Sequence, residues 1–205
     1  MANLLLKGLN KIVYLLGHFL NFIRLIPHLI VLNTHRSKAI IRYDINRWLA
    51  VLCIDCGYVK GFILLMKKFP EFRNLFYYRV SDLSGFIEFL CPKMSTLQIS
   101  AKEIGKGLFI QHGFATIIAA KSIGENCWIN QQVTIGFSNS TDCPVLKDNV
   151  TISAGAKVIG DVTIGDNSTV GANAVVVKNV PPDCVVVGVP AYVVKRNGIK
   201  VKEPL

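Results

Sequence analysis

From about residue 97 the apolar positions fall on a six-residue grid. Leu146, Ile152, Val158, Ile164, Val170 and Val176 form its longest run, Ile123, Ile129 and Ile135 a second, and Ile104 and Ile110 a third. A small residue often follows the aliphatic one, as in Ile104-Gly105, Ile123-Gly124, Ile152-Ser153, Ile164-Gly165 and Val170-Gly171. A helix repeats near 3.6 residues and a strand at 2, so neither makes this pattern. A hexapeptide repeat does, and it predicts a parallel β-helix of about five coils over 97–190. The coils stack at strand spacing, about 4.8 Å, with the aliphatic residue inward. The grid breaks twice. One extra position falls between Ile110 and Ile123, and an insertion containing residues Phe137 to Pro144 separates Ile135 from Leu146. A coil must eject such an insertion as a loop, and loops on a rigid scaffold collect function.

The first 95 residues follow a different rule. Ile45, Trp48, Leu49 and Leu52 recur at helical spacing behind Asp44, and an apolar helical run continues from Val59 to Lys68. Pro70 opens a further helix with Phe72, Leu75, Phe76 and Arg79 at three- and four-residue steps. Ser81 to Leu90 makes a short helix stopped by Pro92. The aromatics in these segments are expected to be core. The organisation is therefore an α-helical region over 1–95, a β-helical domain over 96–190 and a basic tail over 191–205. The run at 12–32 is long enough for a membrane span. It is interrupted by His18, Asn21, Arg24, Pro27 and His28, and a buried arginine is costly in lipid. No small-x-small cleavage site follows it. A helix packed on its own protein or lying on a membrane surface is expected, with His35, Arg36, Lys38 and Arg42 as a basic flank suited to an anionic leaflet.

Composition changes this picture only at the edges. The chain of 205 residues is 51% hydrophobic and carries a formal charge of +10. The basic residues lie mainly before 107 and after 194, so they do not trace a nucleic-acid groove along the repeats, and no nucleic-acid motif is present. Six scattered cysteines suit reduced thiols and a cytoplasmic setting, peripheral to the inner membrane face if the N-terminal helices touch it. Cys53 and Cys56 form a lone CxxC without the second pair a zinc ribbon needs, and a structural place in an apolar helical segment is expected.

Of the four histidines, only His112 belongs to the repeats. It replaces a turn residue beside the first irregularity, where little apolar burial surrounds it, and this favours a functional role over a structural one. The three-histidine zinc site of β-helical carbonic anhydrases cannot be assembled from one histidine, and no metal is expected.

The stretches IGKGLFIQH (104–112), ENCWINQQVTIG (125–136), ISAGAKVIGDVTIGDNSTVGANAVV (152–176) and VPPDCVVVGVPAYVVKR (180–196) resemble the serine acetyltransferase branch of the hexapeptide acyltransferases. YDINRW (43–48) and FPEFRNLFYYRVSDL (69–83) resemble, more faintly, the helices preceding the β-helix there. The resemblance implies a left-handed coil, a homotrimer with its site between subunits, and acetyl-CoA as co-substrate. It implies His112 as the base that takes the proton of a hydroxyl attacking the thioester. Gly136, Ser153, Ala154, Gly171 and Ala172 would let the pantetheine arm approach the backbone, and Lys178, Lys195 and Arg196 would hold phosphates. Turn geometry alone and a solvated surface are the competing explanations for those two sets.

The departures from that family bear on the acceptor. Gln111 stands where an acidic residue precedes the base, Gln98 where another acidic residue supports it, and Cys143 where a second histidine precedes a proline. Carboxylates suit the ammonium group of serine, whereas Gln98 and Gln111 suit neutral hydroxyls. The expected acceptor is thus a sugar hydroxyl of a cell-surface polysaccharide or its precursor. A serine O-acetyltransferase of cysteine biosynthesis, an N-acyltransferase acting on an amino sugar, and a non-catalytic β-helical binding protein are the alternatives. Cys143 is a weak candidate for a nucleophile, since no feature of the sequence lowers its pKa.

Overall fold

The computed structural model describes residues 23–205. Five helices occur among them: α1 (Ile26–Thr34), α2 (Lys38–Val51), α3 (Tyr58–Lys68), α4 (Pro70–Arg79) and α5 (Ser81–Ile87). Pro70 opens α4 in the first turn, where its missing N–H costs nothing. Of the expected helix over 12–32, the part before Ile23 lies outside the described residues. Cys53 and Cys56 fall in the turn between α2 and α3 rather than in a helix, with Cys53 in the left-handed region at φ 54°. Both thiols are free.

The repeats form three parallel faces. β1 (Leu97–Ile99), β4 (Thr116–Ile118), β7 (Thr134–Gly136), β10 (Lys157–Ile159) and β13 (Val175–Val176) build the first face. β2 (Glu103–Ile104), β5 (Ser122–Ile123), β8 (Val145–Leu146) and β11 (Thr163–Ile164) build the second. β3 (Phe109–Ile110), β6 (Trp128–Ile129), β9 (Thr151–Ile152), β12 (Thr169–Val170) and β14 (Cys184–Val187) build the third. The coil makes about five turns. Every grid residue points inward: Ile110, Ile129, Ile135, Ile152, Val158, Ile164, Val170 and Val176 are fully buried, and Ile104, Ile123 and Leu146 nearly so. The register explains why: Ile118, Ile135 and Val158 stack directly on one face, as do Ile110, Ile129 and Ile152 on another.

The segment read as a tail is ordered as strands. β15 (Tyr192–Arg196) pairs antiparallel with β14 and β16 (Ile199–Pro204) antiparallel with β15, extending the third face at its last coil.

A buried charged cluster joins the helices to the coil. Arg79 on α4 donates from Nε to Asp44 Oδ2 at 2.9 Å, from Nη1 to the Ile104 carbonyl at 2.5 Å, and from Nη2 to the Gly105 carbonyl at 2.6 Å. Asp44 on α2 also accepts from the Gly107 N–H at 2.6 Å. Burial pushes the Asp44 carboxyl above its usual range, and Arg79 pulls it back. An arginine read as part of an apolar row thus spans three segments. Beside this cluster runs an aromatic ladder. Trp48 Nε1 donates to the Leu108 carbonyl at 2.9 Å, its rings meet Phe109 at 4.6 Å, and Phe109 meets Trp128 edge-on at 4.8 Å.

Candidate active site

The irregularity near His112 is larger than the net offset of one suggests. Ile110 and Ile129 stack on the third face, and Ile118 and Ile135 on the first, yet Ile110 to Ile118 is eight steps where Ile129 to Ile135 is six. The next step, Ile118 to Ile123, is only five. Two residues are inserted at one corner and one is removed at the following corner, so the sequence shows only the difference. His112 and Gly113 occupy the enlarged corner, with φ of 63° and 50°. Glycine suits position 113, since its φ is positive and a Cβ would meet Leu97, Glu71 and Ile110 tightly, at 3.2–3.3 Å. The Phe114 N–H closes the turn onto the His112 carbonyl at 2.6 Å. The imidazole is exposed and points away from the apolar interior.

Gln111, immediately before it, is held by the ladder. Trp128 Nε1 donates to Gln111 Oε1 at 3.2 Å. An indole only donates, so this bond fixes which end of the amide is oxygen and leaves the NH2 group free to donate elsewhere. Below this corner the chain turns at equivalent places in each coil. The N–H groups of Gln111, Asn130, Ser153 and Gly171 bond the carbonyls of Ile129, Ile152, Val170 and Val186 at 2.8–3.0 Å. His112 therefore heads a column containing Asn130-Gln131, Ser153-Ala154 and Gly171-Ala172. The column extends three coils, about 14 Å. Gly171 must be small for the fold itself, because a Cβ would meet Val187 Cγ1 at 2.7 Å. Asn130 Oδ1 and Gln131 Oε1 are buried with no hydrogen-bond partner among the described residues. Sequence reasoning missed this pair; the signal was two amides at a corner where later coils carry Ser153-Ala154 and Gly171-Ala172.

The remaining expected site residues stand elsewhere. Gly136 ends β7 at the next corner, and a Cβ on it would meet nothing within 4 Å. Cys143 leaves the ejected loop near that corner and lines a cavity of about 480 Å3 with Lys102, Lys121, Phe137 and Asp161. Burial raises its thiol, and Asp142 adds to the effect, so it is no activated nucleophile. Gln98 lines a separate cavity of about 550 Å3 between α4, α5 and β1, with Tyr78, Ser81 and Lys93. His112 lines neither cavity. At the far end of the coil, Lys178 Nζ donates to the Leu205 carbonyl at 2.7 Å, and Arg196 is paired with Glu203 at 2.6 Å. Lys195 is exposed on β15. One chain thus gathers His112, Gln111 and the small residues of the column, and leaves Gln98, Gly136, Cys143 and the three basic residues apart. No group of three or more His, Cys, Asp or Glu stands together among the described residues.

Residues 143–178 match the family model described as bacterial transferase hexapeptide (six repeats). The chain is 43% identical over 106 residues to the serine acetyltransferase of Synechococcus elongatus, covering 50% of this chain and 43% of that protein. It is 44% identical over 103 residues to the serine acetyltransferase of Staphylococcus aureus, covering 48% of each. The chain thus spans less than half the length of these relatives. Serine acetyltransferase from Neisseria gonorrhoeae superposes with a TM-score of 0.66 at 27% identity, over 83% of this chain and 70% of that one. The same enzyme in complex with serine gives 0.65 at 25% identity, over 82% and 72%. These findings overturn the saccharide acceptor and the polysaccharide pathway expected above. The structure shows where that inference failed. Within one chain Gln111 Oε1 accepts from Trp128, and Gln98 lines a cavity that His112 does not reach, so the two amides do not meet in one subunit.

Proposed function

We propose that this chain is an acetyl-CoA-dependent O-acetyltransferase that acetylates the hydroxyl of L-serine. The observation that carries the reading is the enlarged corner: the one histidine of the repeats is exposed there, at the head of a column of small residues. The relatives named serine acetyltransferase supply the acceptor.

In this reading the neutral His112 imidazole takes the proton of the serine hydroxyl as its oxygen attacks the thioester carbon. The carbon–sulfur bond breaks, the sulfur leaves with the proton from the imidazolium, and O-acetylserine and the free thiol result. The column suits the pantetheine arm, whose amide N–H groups are donors, while Asn130 Oδ1 and Gln131 Oε1 are buried acceptors without partners among the described residues. Ser153, Ala154, Gly171 and Ala172 keep the path open below them. The basic residues at the far end stand where phosphates would lie only if Arg196 exchanges Glu203 for them.

A homotrimer supports this chemistry better than one subunit. Gln98 and Cys143 do not share a cavity with His112 in one chain, and Phe114, Ile117 and Phe137 are exposed at 45%, 42% and 57% near that corner and the ejected loop. A neighbouring copy would cover them and bring its loop to His112. The gel-filtration mass tests the assembly.

The decisive test follows thiol release from acetyl-CoA with L-serine as acceptor. Release with serine that falls by about 10²–10⁴-fold in His112→Ala supports the reading. Serine-independent or unchanged release in that variant sinks it.

A further inference from the structure

Two exposed apolar rows of the helical region, one along α1 and one along α5, have no role in the chemistry above. On α1 and at its ends, Leu25, His28, Val31, Leu32 and His35 are buried, and the opposite side presents Ile23, Ile26 and Ile30, exposed at 43%, 41% and 58%. A helix that is apolar on both sides is normally covered on both. On and just after α5, Phe86 and Phe89 are exposed at 77% and 71%, with Leu83 beside them. The two helices are neighbours: His35 Nε2 lies 2.9 Å from Asp82 Oδ1, Arg36 lies 3.5 Å from the same carboxylate, and His28 faces the Ile87 backbone. Single exposed apolar residues need no explanation, but two rows on adjacent helices do.

We infer that this surface docks on an anionic lipid bilayer. Charge decides the occupant. Residues 23–95 hold eleven Lys and Arg against five Asp and Glu, whereas residues 96–205 hold ten against eight. The Arg36 side chain is 80% exposed and Lys38 is exposed, both directly after α1. The sequence leading into Ile23, residues 1–22, is rich in Leu, adds Lys7 and Lys11, and has no acidic residue. Apolar side chains rimmed by cations are the features that hold a helix in the interface of an anionic membrane. No helix among the described residues is long and apolar enough to cross a membrane. This inference stands independently of the acceptor.

The test is vesicle flotation of the full chain. Mixed phosphatidylglycerol–phosphatidylcholine vesicles should carry at least about tenfold more protein than phosphatidylcholine alone, and raising salt to about 0.5 M should reduce that. A quadruple variant, Ile26→Asp, Ile30→Asp, Phe86→Ser and Phe89→Ser, should bind about tenfold less with an unchanged far-ultraviolet spectrum. No flotation of the parent chain overturns the inference. Full binding by the variant also overturns it, since residues 1–22 would then act alone. A vesicle-free assembly that loses mass in the variant would assign the surface to a second copy instead.

Discussion

The helical region and the coil solve the same problem by opposite means. The coil buries its apolar residues by repetition: each turn needs only the next turn, and Ile135 stacks between Ile118 and Val158 without any specific partner. The helical region has no repeat and is fastened by a few individual groups. Arg79 alone reaches Asp44, Ile104 and Gly105, and Trp48 alone reaches Leu108 and Phe109. The difference teaches that a distributed core tolerates local damage, while a clamp built of charges does not.

Substitution tests that contrast directly, with the largest effect expected at the clamp. Arg79→Met leaves the buried Asp44 carboxylate without its counter-charge, with only the Gly107 N–H to hold it, and takes the arginine from two carbonyls, at a cost of about 3–5 kcal/mol. Urea unfolding measures the loss, and amide exchange should rise over 38–87 while 145–187 stays protected; equal loosening of both would mean that the clamp is not what joins them. Ile152→Ala in the middle coil should cost about 2–5 kcal/mol, with exchange increased only in adjacent turns. Global loss of protection would show the coil to be as concerted as the helices.

The third test uses pH. Burial pushes the Cys127 thiol inside the coil up to about 12. An unfolded thiol ionises near 9.0, so above that pH the folded state retains a proton that the unfolded state has lost. The resulting stability is fully present below that value and is lost as pH rises toward about 12, by about 4 kcal/mol at most. Cys91 and Tyr77 in the helical region are raised by burial in the same sense. Cys127→Ala should therefore flatten the alkaline stability profile, followed by circular dichroism between about pH 9 and 11. A profile as steep as the parent's would place the alkaline sensitivity in the helical region. The smallest effect is expected from Gln111→Glu. The glutamate can still accept from Trp128, and its charge favours the ammonium group of serine by about 1 kcal/mol. A several-fold lower KM with little change in kcat is the expected result. An unchanged KM would show that this side chain does not meet the acceptor.

The two regions also differ in how far they could be read. The grid fixed the inward residues of the coil, because stacking demands an aliphatic residue at each equivalent place. The helices were legible as segments from Ile45 to Ile87, but not their fastening. Asp44 and Arg79 lie 35 positions apart, and nothing in either's local pattern announces the other. His112 was legible as the lone histidine of the repeats. The two-residue insertion that places it was not, because the five-step corner from Ile118 to Ile123 hid half of it. The setting of Gln111 was hidden in a related way: its carbonyl accepts from Trp128, 17 residues away.

The aromatic ladder has a spectroscopic consequence. The chain has two tryptophans, and both lie on that ladder: Trp48 contributes from α2 and Trp128 from β6, on either side of Phe109. Intrinsic fluorescence is thus a reporter of the seam between helices and coil, and is nearly blind to the later turns. A change in emission that precedes the loss of ellipticity marks undocking, and Trp128→Phe leaves Trp48 as a single lamp on the helical side of the join.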